Sequence, residues 1–169
     1  MRVMFFHGME GSPTGPKVRT LRKKYPNLEV PDFQGMSYGD RLTRAKEQLT
    51  NSVSDEPVFL IGSSMGGALA IDLANQYPDR IMGYLLLAPA IACVFHPVHN
   101  VPYNTSMILG ELDDPGFNQR AREFGQKFGV QTVIVPDGHR LEESLDLVLD
   151  RAIEGIEKVE ADIFWANAG

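Results

Sequence analysis

Short apolar runs recur along the chain at roughly regular intervals, and they restrict its fold more than any other feature. They lie at Val3–Phe6, Leu28–Val30, Val58–Ile61, Tyr84–Leu87, Ser106–Leu109 and Thr132–Val135. Most are continuous rather than in-out alternations, which marks strands buried on both faces. Between them fall longer stretches that read as helices: Pro13–Lys24, Gly39–Asn51, Met65–Gln76, Gly116–Phe128 and Leu141–Val159. The last is the clearest, with Leu141, Leu145, Val148, Leu149, Ile153, Ile156 and Val159 at helical spacing. Strand–helix alternation predicts an α/β fold, about six mostly parallel strands flanked by helices. In such sheets ligands bind beyond the carboxyl ends of the strands, so reactive residues are sought in the loops that follow them.

The 169 residues fit one domain spanning 1–169, and 43% hydrophobic against 22% charged residues is enough for a packed core. The formal net charge of −6 argues against a nucleic-acid partner, which would require a basic face. A single cysteine, Cys93, excludes an internal disulfide and a multi-cysteine zinc site. The apolar runs are far short of the ~20 residues needed to span a bilayer. The stretch Val3–Phe6 is also too short for a secretory leader. A soluble, cytoplasmic protein without a membrane partner is expected. The histidines are dispersed, so no metal site is expected either. Residues 1–50 carry nine basic and five acidic groups, while residues 101–169 carry six and thirteen. Much of the positive charge sits in Lys17, Arg19, Arg22, Lys23 and Lys24, read first as the solvated face of a helix.

The sharpest local signal is Val58-Phe-Leu-Ile-Gly62-Ser63-Ser64-Met65-Gly66-Gly67-Ala68. Gly62-x-Ser64-x-Gly66 has the spacing of a nucleophile elbow, and its context is right: an apolar run leads in and an apolar helix leads out. A sharp turn there would hold Ser64 strained and exposed, with glycines removing side chains that would collide across it. A serine needs a base. His139, in Pro136-Asp137-Gly138-His139-Arg140 after the last strand, opens on the same sheet edge, whereas His96 and His99 lie in an irregular stretch. An acid must orient the imidazole. Asp113 and Asp114 both follow the fifth predicted strand; Asp113 is preferred, Asp114 stays open, and Asp137 is read as shaping its turn.

The N–H of Met65 at a helix start supplies one oxyanion donor, and the loop Phe6-His7-Gly8-Met9-Glu10-Gly11-Ser12-Pro13 offers a second at Met9. Ser12-Pro13 reads as an N-cap and first helical residue. His7 and Gly8 are expected to contact substrate, His7 supporting the loop rather than carrying protons.

This set, in the order Ser…Asp…His, resembles the α/β-hydrolase superfamily. Its particular form is similar to small bacterial YqiA/YcfP-like esterases through His7-Gly8, Ser12-Pro13, Lys17, Gly62-Ser63-Ser64-Met65-Gly66-Gly67 and Gly138-His139-Arg140. The resemblance covers about residues 2 to 160. It implies an esterase core without a lid domain, since only Ala88 to Asn104 occupies the lid position. The implied activity is a cofactor-free serine hydrolysis of small acyl esters or thioesters. The alternative is a hydrolase-like binding protein without turnover. A P-loop, a dinucleotide fingerprint and a cysteine nucleophile all fail on spacing or placement.

Overall fold

The computed structural model describes residues 1–52 and 54–169. Five strands form one parallel sheet in the order β1-β2-β3-β4-β5: β1 Arg2–Phe6, β2 Val58–Ser63, β3 Ile81–Leu87, β4 Asn104–Gly110 and β5 Gln131–Val135. The helices are α1 Pro16–Arg22, α2 Tyr38–Thr50, α3 Met65–Gln76, α4 Pro115–Phe128 and α5 Leu145–Asn167.

Successive strand residues point to opposite faces, and the two cores follow from that. Met4, Phe6, Leu60, Tyr84, Leu86, Met107 and Leu109 pack with α2, α3 and α4 on one face. Phe5, Phe59, Ile61, Leu85, Leu87 and Ile108 pack with Val18 and Leu21 of α1 and Val148, Ala152, Ile156 and Val159 of α5 on the other. The apolar runs of β1 to β4 thus each feed both layers.

This layering positions the site. The chain leaving β1 turns to the α1/α5 face, while the chain leaving β2 turns to the α3 face. The loops after these neighbouring strands diverge, and a crevice opens between them at the carboxyl edge.

Three expectations are corrected. Leu28–Val30 is not a sixth strand: it makes one isolated bridge, Met4↔Glu29, and Leu28 joins the α1/α5 core instead. Pro26 and Pro31 bracket the segment and leave no room for a longer ladder. The first helix starts at Pro16 with Gly15 as its N-cap, not at Pro13, because Ser12 Oγ accepts from Thr14 N–H in a local turn. The last helix starts at Leu145, since Leu141 has φ 52° and a 3₁₀ turn occupies Glu142–Ser144. No helix among the described residues is long and apolar enough to cross a membrane.

Candidate active site

Ser64 stands between β2 and α3 with φ 55° and ψ −117°, a conformation L-residues rarely adopt. The turn is held by Ser64 N–H donating to Leu87 O (2.9 Å) and by Ser64 O accepting from Gly67 N–H (3.0 Å) and Ala90 N–H (2.8 Å). It requires glycine at two positions. A Cβ on Gly66 would collide with the Phe6 carbonyl, and one on Gly62 would sit 2.7 Å from Gly67 Cα. The elbow is therefore wedged against the end of β1.

Three side chains from three loops meet here. His139 Nε2 lies 2.9 Å from Ser64 Oγ, and His139 Nδ1 lies 2.6 Å from Asp113 Oδ2. A carboxylate only accepts, so Nδ1 carries the proton and the Nε2 lone pair faces the serine hydroxyl. Asp113 is itself fixed by Asp114 N–H donating to its Oδ1 (2.7 Å). Asp114, the open alternative, is used elsewhere: its Oδ1 accepts from Gly116 N–H and Phe117 N–H and caps α4. Asp137 shapes its own loop, accepting from Gly138 N–H, Glu143 N–H and the Ser144 hydroxyl. Phe117 meets the His139 ring edge-on, centroids 5.0 Å apart, and no sequence signal had marked it.

The crevice above Ser64 measures about 520 Å³. Gly8, Met9, Ser64, Phe117, His139 and Leu145 line it, and Glu10, Lys17, Arg140 and Glu142 supply its charges. Glu10 and Arg140 form an ion pair of 2.7 Å between the loop after β1 and the loop after β5. Lys17 Nζ donates to the Arg140 carbonyl, and burial lowers its pKa from the usual lysine value. Of the basic segment Lys17–Lys24, Lys17 alone lines the crevice. Arg19 and Arg22 donate to the Thr14 and Pro13 carbonyls, and Lys23 and Lys24 are exposed.

The Met9 and Met65 N–H groups make no hydrogen bond among the described residues; Met9 lies in the loop after β1 that lines the crevice, and Met65 follows Ser64 as the first residue of α3. Gly8 lines the crevice, but the His7 side chain does not. The His7 side chain is 2% exposed, its Nε2 accepts from Phe33 N–H (2.9 Å), and its Nδ1–H donates to Gly8 O (2.8 Å). With both nitrogens committed, His7 braces the loop and has no atom free for substrate. Asp32 Oδ1 lies 3.8 Å from Nε2, but the Phe33 N–H already occupies that lone pair. His96 is half exposed and tied to Asp72 on α3, and neither it nor His99 lines the crevice.

A parallel sheet, a serine at a strained strand-to-helix turn and an adjoining Asp–His pair define the α/β-hydrolase superfamily. Solved structures agree on the fold. One, described as a hydrolase of the alpha/beta superfamily from Xanthomonas campestris pv. campestris, superposes with a TM-score of 0.79 at 22% identity, over 93% of this chain and 98% of that one. Alpha/beta hydrolase domain-containing protein 10 from mouse gives 0.73 at 16% identity, over 93% and 90%. Within the superfamily, the chain belongs to the Hydrolase_4 family (serine aminopeptidase, S33), whose model matches residues 27–111. Among curated proteins it is 31% identical over 101 residues to the lipase LipV of Mycobacterium tuberculosis, covering 54% of this chain and 38% of that protein. It is 33% identical over 73 residues to 2-hydroxy-6-oxo-6-phenylhexa-2,4-dienoate hydrolase of Comamonas testosteroni, covering 42% of this chain and 26% of that protein. These alignments thus span well under half of either relative.

Proposed function

We propose that this protein is a serine hydrolase that cleaves carboxylic esters or thioesters of short acyl groups through an acyl-enzyme. The observation that carries this reading is the unbroken chain Ser64 Oγ–His139–Asp113, at 2.9 and 2.6 Å, on a serine held at positive φ beside a crevice. Its likeness over part of the chain to a lipase supports an ester as substrate.

Ser64 Oγ attacks the acyl carbon as its proton passes to His139 Nε2, and Asp113 stabilises the imidazolium through Nδ1–H. The negative oxygen that forms is met by the N–H groups of Met9 and Met65, the latter at a helix N-terminus. Collapse expels the alcohol or thiol, which takes the proton from His139. Water then attacks the acyl-serine, with His139 accepting its proton. The second collapse returns that proton to Ser64 and releases the acid. A crevice of about 520 Å³ with charged Glu10, Lys17, Arg140 and Glu142 at its rim can enclose only a short stretch of an acyl chain. Each buried CH₂ is worth ~0.8 kcal/mol only where it is enclosed in this way, so short acyl groups are favoured.

The test is labelling with a fluorophosphonate together with turnover of acetyl, butyryl and octanoyl p-nitrophenyl esters and thioesters. Wild type should form an adduct at Ser64, Ser64→Ala should form none, and the acetyl and butyryl substrates should be preferred. A folded wild-type protein that gives no adduct and no turnover would establish the binding-protein alternative.

A further inference from the structure

Arg41 is an anomaly on α2. It falls in register with Ala45 and Leu49 on the buried face of that helix and is 1% exposed. Among the described residues it forms no ion pair with a carboxylate; its nearest counterparts are carbonyls and a ring. Nε donates to Met36 O (3.1 Å), Nη1 donates to Gly8 O (3.3 Å) and His7 O (3.4 Å), and the guanidinium lies 5.8 Å from the Phe33 ring centroid. A buried cation without an anion is unfavourable unless something compensates it. Packing alone would be served by methionine or leucine at that position.

Two of these three carbonyls, those of His7 and Gly8, belong to the loop after β1, and the Gly8 carbonyl gathers further donors. Gly8 O accepts from His7 Nδ1–H (2.8 Å), Gly11 N–H (3.2 Å) and Arg41 Nη1–H (3.3 Å). The Gly8–Met9 peptide is trans, so its N–H points opposite to its carbonyl. Three donors gripping the carbonyl from inside the protein turn the Met9 N–H outward to the crevice and polarise it as a donor. His7 contributes no second charge, because its Nε2 must stay unprotonated to accept from Phe33 N–H.

We infer that Arg41 is the positioning residue of the oxyanion site, aiming the Met9 N–H through the Gly8 carbonyl and placing a buried positive charge behind the peptide whose N–H meets the developing oxyanion. The inference rests on the hydrolase reading above. It makes the unpaired cation useful where it counts: the charge finds its counterpart when the tetrahedral oxyanion forms, and has none in the resting site. Its effect is therefore larger on the transition state than on bound substrate.

The experiment compares wild type, Arg41→Lys and Arg41→Gln in the full chain. It measures kcat/KM on p-nitrophenyl acetate, inhibition by butylboronic acid (whose serine adduct is a tetrahedral anion) and thermal unfolding. Arg41→Gln should lose about ten- to a hundredfold in kcat/KM, less than the ~10²–10³ of deleting an oxyanion donor outright. Boronate affinity should fall by the same factor, and Arg41→Lys, which keeps the charge, should recover part of both. A purely structural role would lower the melting temperature and leave boronate affinity in the folded fraction unchanged, which overturns the inference. Should neither variant fold, wild type still decides: boronate must shift the amide protons of Met9 and Met65, and an unmoved Met9 amide overturns it. A wild type that neither hydrolyses ester nor takes up fluorophosphonate refutes the hydrolase reading and this role with it, whereas an active wild type beside an unimpaired Arg41→Gln refutes this role alone.

Discussion

Asp113→Asn isolates the electrostatic half of the site without changing its shape. Asp113 Oδ1 accepts from Asp114 N–H at 2.7 Å, so the asparagine must keep its carbonyl oxygen there and turn its NH₂ toward His139. A donor then faces Nδ1 where an acceptor stood at 2.6 Å. The imidazole can satisfy it only by moving its proton to Nε2, and that tautomer donates to Ser64 instead of accepting from it. The same exchange in a serine protease lowers kcat by about 10⁴-fold, or about 5 kcal/mol of barrier. A comparable loss is expected here. Asp114→Asn is the matched control, because asparagine caps a helix as well as aspartate and the cap bonds to Gly116 and Phe117 survive. It should change stability by about 0.5 kcal/mol or less and leave turnover near wild type. Turnover of p-nitrophenyl acetate, followed through the first turnover so that chemistry is observed, and urea unfolding of both variants provide the comparison. An Asp113→Asn protein within tenfold of wild type, or an Asp114→Asn protein that is the more damaged, would refute the reasoning.

Two further outcomes follow from the loop behind the serine. Gly66→Ala puts a methyl group 2.5 Å from the Phe6 carbonyl carbon and 3.0 Å from His7 O, both backbone, so β1 and the Gly8–Met9 loop must move. It should cost about 3 kcal/mol or more in urea unfolding and abolish ester turnover; an unshifted midpoint with full activity would contradict the close approach. Burial, ahead of the nearby Arg41 charge and against the Gly8 carbonyl, holds the His7 imidazole below the ordinary histidine value of 6.5. The unfolded chain therefore binds the proton at higher pH than the folded one. The His7 contribution to stability is full above 6.5 and declines as pH falls through the window below it. Denaturation midpoints from pH 7.5 to 4.5 should fall more steeply for wild type than for His7→Asn, and parallel curves would show that His7 is not held neutral.

The strands β1, β2, β3 and β4 and the helix α3 were legible because their side chains feed a core on each sheet face and the apolar run is unbroken. Leu28–Val30 misled because an apolar triplet can seat one side chain in a core without forming a ladder; Leu28 does this, between Pro26 and Pro31. Helix starts slipped where tertiary geometry overrode local chemistry. Ser12-Pro13 has the composition of a cap, yet the chain turns once more before α1 so that Gly11 can pass the His7 Cβ, 2.9 Å from where its own Cβ would lie. At the site, spacing pointed to Ser64 and His139, while the choice between two adjacent aspartates depended on which side chain faces the imidazole, information absent from a linear order. The loop-supporting role of His7 was read from its place beside Gly8, whereas the burial of both its ring nitrogens, away from the crevice, is a property of the packed loop. Arg41 did leave a trace, a cation in phase with Ala45 and Leu49, but nothing in the sequence said what it gripped.

The sheet order β1-β2-β3-β4-β5 repeats the order in which the ribosome delivers the strands. Each new strand can dock on the edge left by the one before it, and during synthesis the amino-terminal parts fold first. The loop after β1, the Ser64 turn after β2 and Asp113 after β4 can all be in place while the chain is still incomplete. His139 follows β5 and joins them last, and the α1/α5 face closes only when α5 arrives. Until then Ser64 is an ordinary alcohol on a nascent chain, without the imidazole that the proposed reaction needs as its base.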